Sequence, residues 1–208
     1  MLTKVKVCGI KTEEEVQMIN LYPVNYVGFI FAPSKRQVTE ERAIVLRPLF
    51  RKDIKVVGVF VDEEPQRVNE LIKSCSLDVV QLHGNETVEY CNHMQAKVWK
   101  TICVKDEDSL YSIQKYSTSV EGILLDTYSK DERGGTGKTF HWGMVKELSK
   151  THTIILAGGL TPENIVQAIK TVMPQVVDLN SGLETNLMKD NDKISKLFSK
   201  LKEENWNE

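Results

Sequence analysis

A chain of 208 residues is long enough for one well-buried core and short for two full domains. Apolar residues make up 41% and charged ones 27%, with a formal net charge of -2. That excludes an electrostatic case for nucleic acid or an anionic membrane and leaves an ordinary soluble globular class. The four cysteines, Cys8, Cys75, Cys91 and Cys103, show no CxxC pair and no zinc spacing. No secretory h-region opens the chain, and no apolar run reaches about 18 residues. A reducing, cytoplasmic setting without disulfides is expected.

Short β-branched apolar runs recur along the chain. They are Val5 to Cys8, Tyr26 to Phe31, Lys55 to Val61, Asp78 to Leu82, Lys97 to Ile102, Gly122 to Leu125, Thr153 to Ala157 and Val176 to Leu179. Continuous runs of this kind suit parallel strands buried on both faces. Segments with helical periodicity lie between them: Thr12 to Leu21, Thr39 to Leu49, Glu64 to Ile72, Glu86 to Met94, Asp108 to Tyr116, Trp142 to Leu148, Thr161 to Val172 and Lys193 to Leu201. Thr12 and Thr39 can cap, Pro65 suits a first turn, and Thr161-Pro162-Glu163 reads as a helix start. Eight strand–helix alternations in this length predict a single α/β domain over 1–208, a (β/α)₈ TIM barrel of eight parallel strands. The alternative, a doubly wound open sheet, would usually carry a Gly-rich turn after its first strand, where this chain has Cys8-Gly9-Ile10.

In a barrel, chemistry sits at the C-terminal strand ends. Polar residues gather there: Cys8, the Ser34-Lys35-Arg36 loop, Asp62, Gln81 with His83, Lys100, Asp126, Gly158-Gly159 and Asn180-Ser181-Gly182. The two glycine-bearing loops after strands seven and eight suit a phosphate, since their backbone N–H groups can approach an anion closely. Alone, each is equally well a tight βα turn. Cys8 and Asp126 are the acid–base candidates, one a potential thiolate and the other a carboxylic acid if burial raises its pKa. A small buried filler and a turn residue are their plain structural readings. Arg36 can pair with a carboxylate or phosphate, or be a solvated loop charge. His83 could bind polar substrate groups. No His or carboxylate stands at metal spacing beside it, so a metal is not expected.

The stretch Gly122 to Phe140 closes on Gly134-Gly135-Thr136-Gly137-Lys138-Thr139 and imitates a P-loop. The pattern requires a glycine five positions before Gly137, and Glu132 stands there instead.

Taken in order, these residues resemble the phosphoribosylanthranilate isomerase family of tryptophan biosynthesis. The resemblance spans nearly the whole chain. It is carried by Lys6-Val7-Cys8-Gly9-Ile10, Val27 to Phe31 with Ser34, Arg36 and Val38, Val57 to Phe60, Val80 to Gly84, Leu125-Asp126, Gly134 to Gly137, Leu156 to Leu160 and Asp178 to Glu184. Asn180 stands where the family more often has Ser, and the segment from Val104 to Val120 carries no recognisable motif.

The resemblance implies a cofactor-free Amadori rearrangement of the small-molecule substrate phosphoribosylanthranilate. Asp126 would be the general acid and Cys8 the general base. Arg36 would face the anthranilate carboxylate, with Gln81 and His83 binding polar groups. Gly158, Gly159, Asn180, Ser181 and Gly182 would hold the phosphate. Gly135, in the Gly134 to Gly137 run, would lie in a loop closing over the sugar phosphate. No heptads or large apolar stripe are evident, so a monomer without nucleic-acid or membrane partners is expected.

Overall fold

The structure, a computed structural model, describes residues 2–127 and 139–204. Eight parallel strands close into a barrel in sequence order: β1 (Lys4–Cys8), β2 (Tyr26–Ile30), β3 (Lys55–Phe60), β4 (Val79–Leu82), β5 (Lys97–Val104), β6 (Gly122–Thr127), β7 (Ile154–Leu156) and β8 (Val176–Leu179). β8 pairs back onto β1, with Lys6 opposite Asp178. The expected (β/α)₈ barrel is therefore the fold, and each strand lies within a few residues of its predicted run.

The helices are α1 (Glu13–Ile19), α2 (Glu40–Leu46), α3 (Pro65–Ser74), α4 (Val88–Asn92), α5 (Ser112–Tyr116), α6 (Ile165–Val172) and α7 (Asn191–Glu203). A capping box opens α1. The Glu15 N–H donates to Thr12 Oγ1 at 3.2 Å, and Glu15 Oε2 accepts from the Thr12 N–H at 3.2 Å.

Three expectations fail locally. The segment Asp108 to Tyr116 opens as a 3₁₀ turn, Glu107–Tyr111, and only its second half is α5. Trp142 to Leu148 is not an α-helix but short 3₁₀ turns, Trp142–Val145 and Leu148–Lys150. Its apolar residues Trp142, Val145 and Leu148 recur every three positions, the period of a 3₁₀ helix. Thr161 does not begin α6. Its hydroxyl accepts from the Glu163 N–H at 3.2 Å in a turn, and α6 begins after Asn164, whose side chain makes no capping bond.

A hairpin unseen in the sequence, β9 (Glu184–Thr185) and β10 (Met188–Lys189), follows β8. Asn186 and Leu187 at its tip both take positive φ, 53° and 63°, the conformation of a type I′ turn.

Alternation along the strands separates two cores. Outward side chains such as Val5, Val27, Leu82 and Leu125 join the helices in one large cluster. Inward ones, Tyr26, Val57, Val79, Trp99, Leu124, Ile155, Ala157 and Val176, form a second cluster that fills the barrel. Tyr26 meets Trp99 edge to face at 5.0 Å between ring centroids. Toward the C-terminal ends the inward positions turn largely polar, with Lys6 and Cys8 on β1, Gln81 on β4, Thr101 on β5, Asp126 on β6 and Asp178 on β8, while β2 and β3 place Gly28 and Val59 there. The barrel is thus plugged below and chemically equipped above.

Trp99 is the largest side chain in the plug and is 2% exposed. Trp99→Ala should cost about 3–5 kcal/mol, read as a lowered urea midpoint. A loss below about 1 kcal/mol would contradict a filled barrel interior.

Candidate active site

A cavity of about 670 Å³ opens at the C-terminal ends of the strands. Its walls bring together Cys8, Arg36, Gln81, His83, Asp126, Gly158, Gly159, Asn180 and Ser181 from the sequence-predicted set. Asp178, to which the sequence reading assigned no role, joins them. Gly182 does not line the cavity. A Cβ there would meet the Leu160 carbonyl oxygen at 2.0 Å, so this glycine lets the loops after β7 and β8 pack together. Gly135 lies outside the described residues.

Cys8 ends β1 and is 5% exposed. Gly28 stands beside it on β2, and a Cβ at Gly28 would lie 2.5 Å from Cys8 Sγ. The glycine therefore makes the room for the sulfur. Burial pushes the Cys8 thiol above its ordinary value. The Lys6 ammonium acts against this, the Asp178 carboxylate adds to it, and Lys189 opposes it.

Asp126, on β6, is 7% exposed. Burial raises its carboxyl to about 6, although the Thr127 N–H donates to Oδ1 at 2.7 Å and favours the ionised form. Gly158, at φ +81°, gives this carboxyl its space. A Cβ there would lie 2.4 Å from Thr127 Oγ1 and 2.8 Å from Asp126 Oδ1. Both acid–base candidates thus depend on a glycine from a neighbouring segment.

One chain of contacts links the two sides. Lys6, completely buried, donates from Nζ to Asp178 Oδ2 at 2.6 Å and to Gln81 Oε1 at 2.8 Å. An ammonium only donates, so the amide oxygen of Gln81 faces Lys6 and its NH₂ faces His83 Nδ1, 3.2 Å away. Nδ1 then accepts, and a neutral His83 carries its proton on Nε2, 3.5 Å from Asp126 Oδ2. Burial would lower the Lys6 pKa, but Asp178 and the Cys8 thiol outweigh it, and Lys6 stays protonated.

The mouth is held by a second buried network. Arg36 Nε donates to both oxygens of Glu184 at 2.9 and 3.0 Å, and Nη2 donates to Oε2 at 2.7 Å. Glu184 also takes Lys189 Nζ at 2.6 Å, and Lys189 reaches Asn180 Oδ1 at 3.0 Å. Burial would raise the Glu184 carboxyl, yet Arg36 and Lys189 hold it below the usual range. The short hairpin β9–β10 carries both Glu184 and Lys189, which ties Arg36 to the loop after β8.

Lys100, grouped with the mouth residues by sequence, stands behind the wall. Its Nζ donates to the Gly84 carbonyl and to Glu86 Oε2, both at 2.8 Å. Glu86 in turn accepts from the N–H groups of Asp62 and Gly84 at 3.0 Å. The pair braces the turn that presents His83.

The arrangement can give a proton at one point of a bound molecule and take one at another. The carboxyl pKa has a thermodynamic signature. Folded Asp126 keeps its proton to about 6, against 3.8 as its ordinary value. The folded state therefore binds more protons in that window, and the burial cost grows as pH rises through it. Asp126→Asn should be more stable than wild type by about 2–3 kcal/mol above pH 7, and equal to it below about pH 4. Chemical denaturation across pH reads this, and a difference independent of pH would contradict the raised pKa.

Residues 5–200 match the family model described as N-(5'phosphoribosyl)anthranilate (PRA) isomerase. The N-(5'-phosphoribosyl)anthranilate isomerase of Thermoanaerobacter pseudethanolicus is 42% identical over 202 residues, 97% of this chain and 98% of the relative. The crystal structure of phosphoribosyl anthranilate isomerase from Thermotoga maritima has a TM-score of 0.90 at 34% identity, covering 97% of this chain and 100% of that one. A further crystal structure holds such an enzyme in complex with reduced 1-(o-carboxyphenylamino)-1-deoxyribulose 5-phosphate. Its TM-score is 0.87 at 32% identity, with 97% and 100% covered. The barrel, its cavity and nearly every residue between its ends fall within these matches, and the chain belongs to the N-(5'-phosphoribosyl)anthranilate isomerase family.

Proposed function

We propose that this chain converts N-(5-phosphoribosyl)anthranilate, an aminoaldose, into 1-(2-carboxyphenylamino)-1-deoxyribulose 5-phosphate by general acid–base catalysis, in tryptophan biosynthesis. The observation that carries the reading is a neutral-range carboxyl and a buried thiol on the walls of one cavity. Asp126 protonates the furanose ring oxygen, the C1–O bond breaks, and the anthranilate nitrogen supplies the electron pair that forms a Schiff base. Cys8, as thiolate, then removes the C2 proton. The electrons move toward the iminium nitrogen and leave an enol amine, which tautomerises to the ketone. The substrate nitrogen is the electron relay, so no step is routed through a cofactor.

Arg36 receives the anthranilate carboxylate on the side of its guanidinium turned from Glu184. Gln81 and His83 orient the hydroxyl-bearing carbons. The phosphate lies against the backbone of Gly158, Gly159, Asn180 and Ser181, with Gly182 keeping the two loops in contact. Positive φ at Gly158 and Gly159, +81° and +65°, supports this use of the loop after β7. Gly135 belongs to the proposed covering loop.

The catalytic unit is residues 1–208 as one domain, acting as a monomer in the cytoplasm. Among the described residues, no helix is long and apolar enough to cross a membrane.

Cys8→Ala and Asp126→Asn, assayed with freshly generated substrate, should each lose about 10²-fold or more in kcat. Turnover close to wild type in either variant would remove that residue from its role. The pH profile carries a second prediction. The acid must hold a proton up to about 6, while the thiol ionises only above its ordinary value. Below pH 6 the active form grows with thiolate. Between the two pKa values the gain in thiolate cancels the loss of acid. kcat/KM should therefore rise to about pH 6, run level, and fall only above the thiol pKa. A steady fall beginning at pH 6 would mean that the thiol ionises first.

A further inference from the structure

Lys6 is a lysine with no exposure, two residues before Cys8 on the same inward face of β1. A buried ammonium needs a reason, since desolvation costs several kcal/mol unless the charge is compensated. Asp178, its register neighbour on β8, compensates it at 2.6 Å. An apolar pair would fill the same space at no electrostatic cost. The second carboxylate oxygen, Asp178 Oδ1, is buried and has no hydrogen-bond partner, so the pair is not optimised for stability alone. Cys8 is the next inward residue on the same strand, so the Lys6 charge acts on its sulfur.

We propose that Lys6 is a positioning residue whose buried ammonium makes the Cys8 thiolate available as a base, with Asp178 setting how much of that charge Cys8 feels. The thiol proton leaves to water through the open mouth of the cavity, and the sulfur retains the electron pair beside a fixed positive charge. Among the described residues, the charged groups that act on Cys8 are Lys6 on β1, Asp178 on β8 and Lys189 on β10, and β2 presents Gly28. Both cations are paired with a carboxylate at 2.6 Å, Lys189 with Glu184 and Lys6 with Asp178. Lys6 acts on Cys8 more strongly than Lys189 does, and it alone shares a strand with it. Burial alone drives the thiol toward its neutral form, and Lys6 is the largest influence acting the other way. The inference rests on Cys8 being the base, but its test reads the thiol and not turnover.

The measurement is the iodoacetamide alkylation rate at pH 8 of the peptide carrying Cys8. Mass spectrometry resolves it from the peptides of Cys75, Cys91 and Cys103, with circular dichroism as a check on folding. Lys6→Met removes the cation and should slow Cys8 alkylation by about tenfold or more, because an adjacent charge moves a pKa by about 1–3 units. Asp178→Asn removes the anion that offsets Lys6 and should accelerate it. A merely structural role would loosen the site in both variants and speed alkylation in both. An unchanged rate in Lys6→Met, or two variants moving in the same direction, overturns the proposal. Should Lys6→Met fail to fold, Lys6→Gln, which keeps a polar donor but drops the charge, takes its place, and an unchanged or faster rate overturns the proposal. Failure of the isomerase reading is a separate result, turnover surviving Cys8→Ala.

Discussion

The physical constraint on which the site depends is the removal of charge from water. Lys6, Asp178, Lys189, Glu184, Lys100 and Glu86 are all buried at or near the C-terminal ends of the strands. None could remain ionised there alone. They persist as pairs: Lys6 with Asp178, Lys189 with Glu184, and Lys100 with Glu86, at 2.6 to 2.8 Å. Buried pairs are weak sources of stability and strong sources of orientation. Here each pair holds a different part of the mouth: Lys6 and Asp178 hold Gln81, Lys189 and Glu184 the Arg36 guanidinium, and Lys100 and Glu86 the turn that carries His83.

The same low-polarity surroundings set the two acid–base candidates apart. Asp126 and Cys8 are both raised by burial, yet the shifts have different consequences. A raised carboxyl gains a proton to give near neutral pH. A raised thiol yields less thiolate at neutral pH, and a nearby cation restores part of it. Lys6 acts on both groups, and on Cys8 it is the largest influence favouring the ionised form. Two glycines, Gly28 and Gly158, complete the arrangement by removing the side chains that would occupy the space of the sulfur and the carboxyl.

Much of this was legible in the sequence. The eight strands declared themselves because both faces are buried, so their runs are continuously apolar. The strand ends then carried Cys8, Asp126, Arg36, Gln81 and His83 to one mouth by topology alone. The role of Lys6 was not legible. A lysine inside an apolar run reads as an edge position, and its partner lies 172 residues away across the closure of the barrel. The β9–β10 hairpin was hidden because Leu187 at positive φ is a conformation that a leucine seldom adopts. The turns after β6 were misread because a three-residue apolar period resembles an irregular helix. Lys100 was at the correct strand end but turned outward, a distinction that depends on strand phase rather than residue type.

The P-loop-like Gly134 to Lys138 segment lies outside the described residues, and the phosphate assignment rests on the loops after β7 and β8 instead. The central claim is that burial keeps a proton on Asp126 near neutral pH. A carbon-13 NMR titration of the aspartate carboxyls, with Asp126→Asn to assign the resonance, measures it directly. A midpoint of about 6 is predicted. A midpoint at the ordinary aspartate value of about 3.9 would contradict the account, because the carboxylate would then have no proton to give.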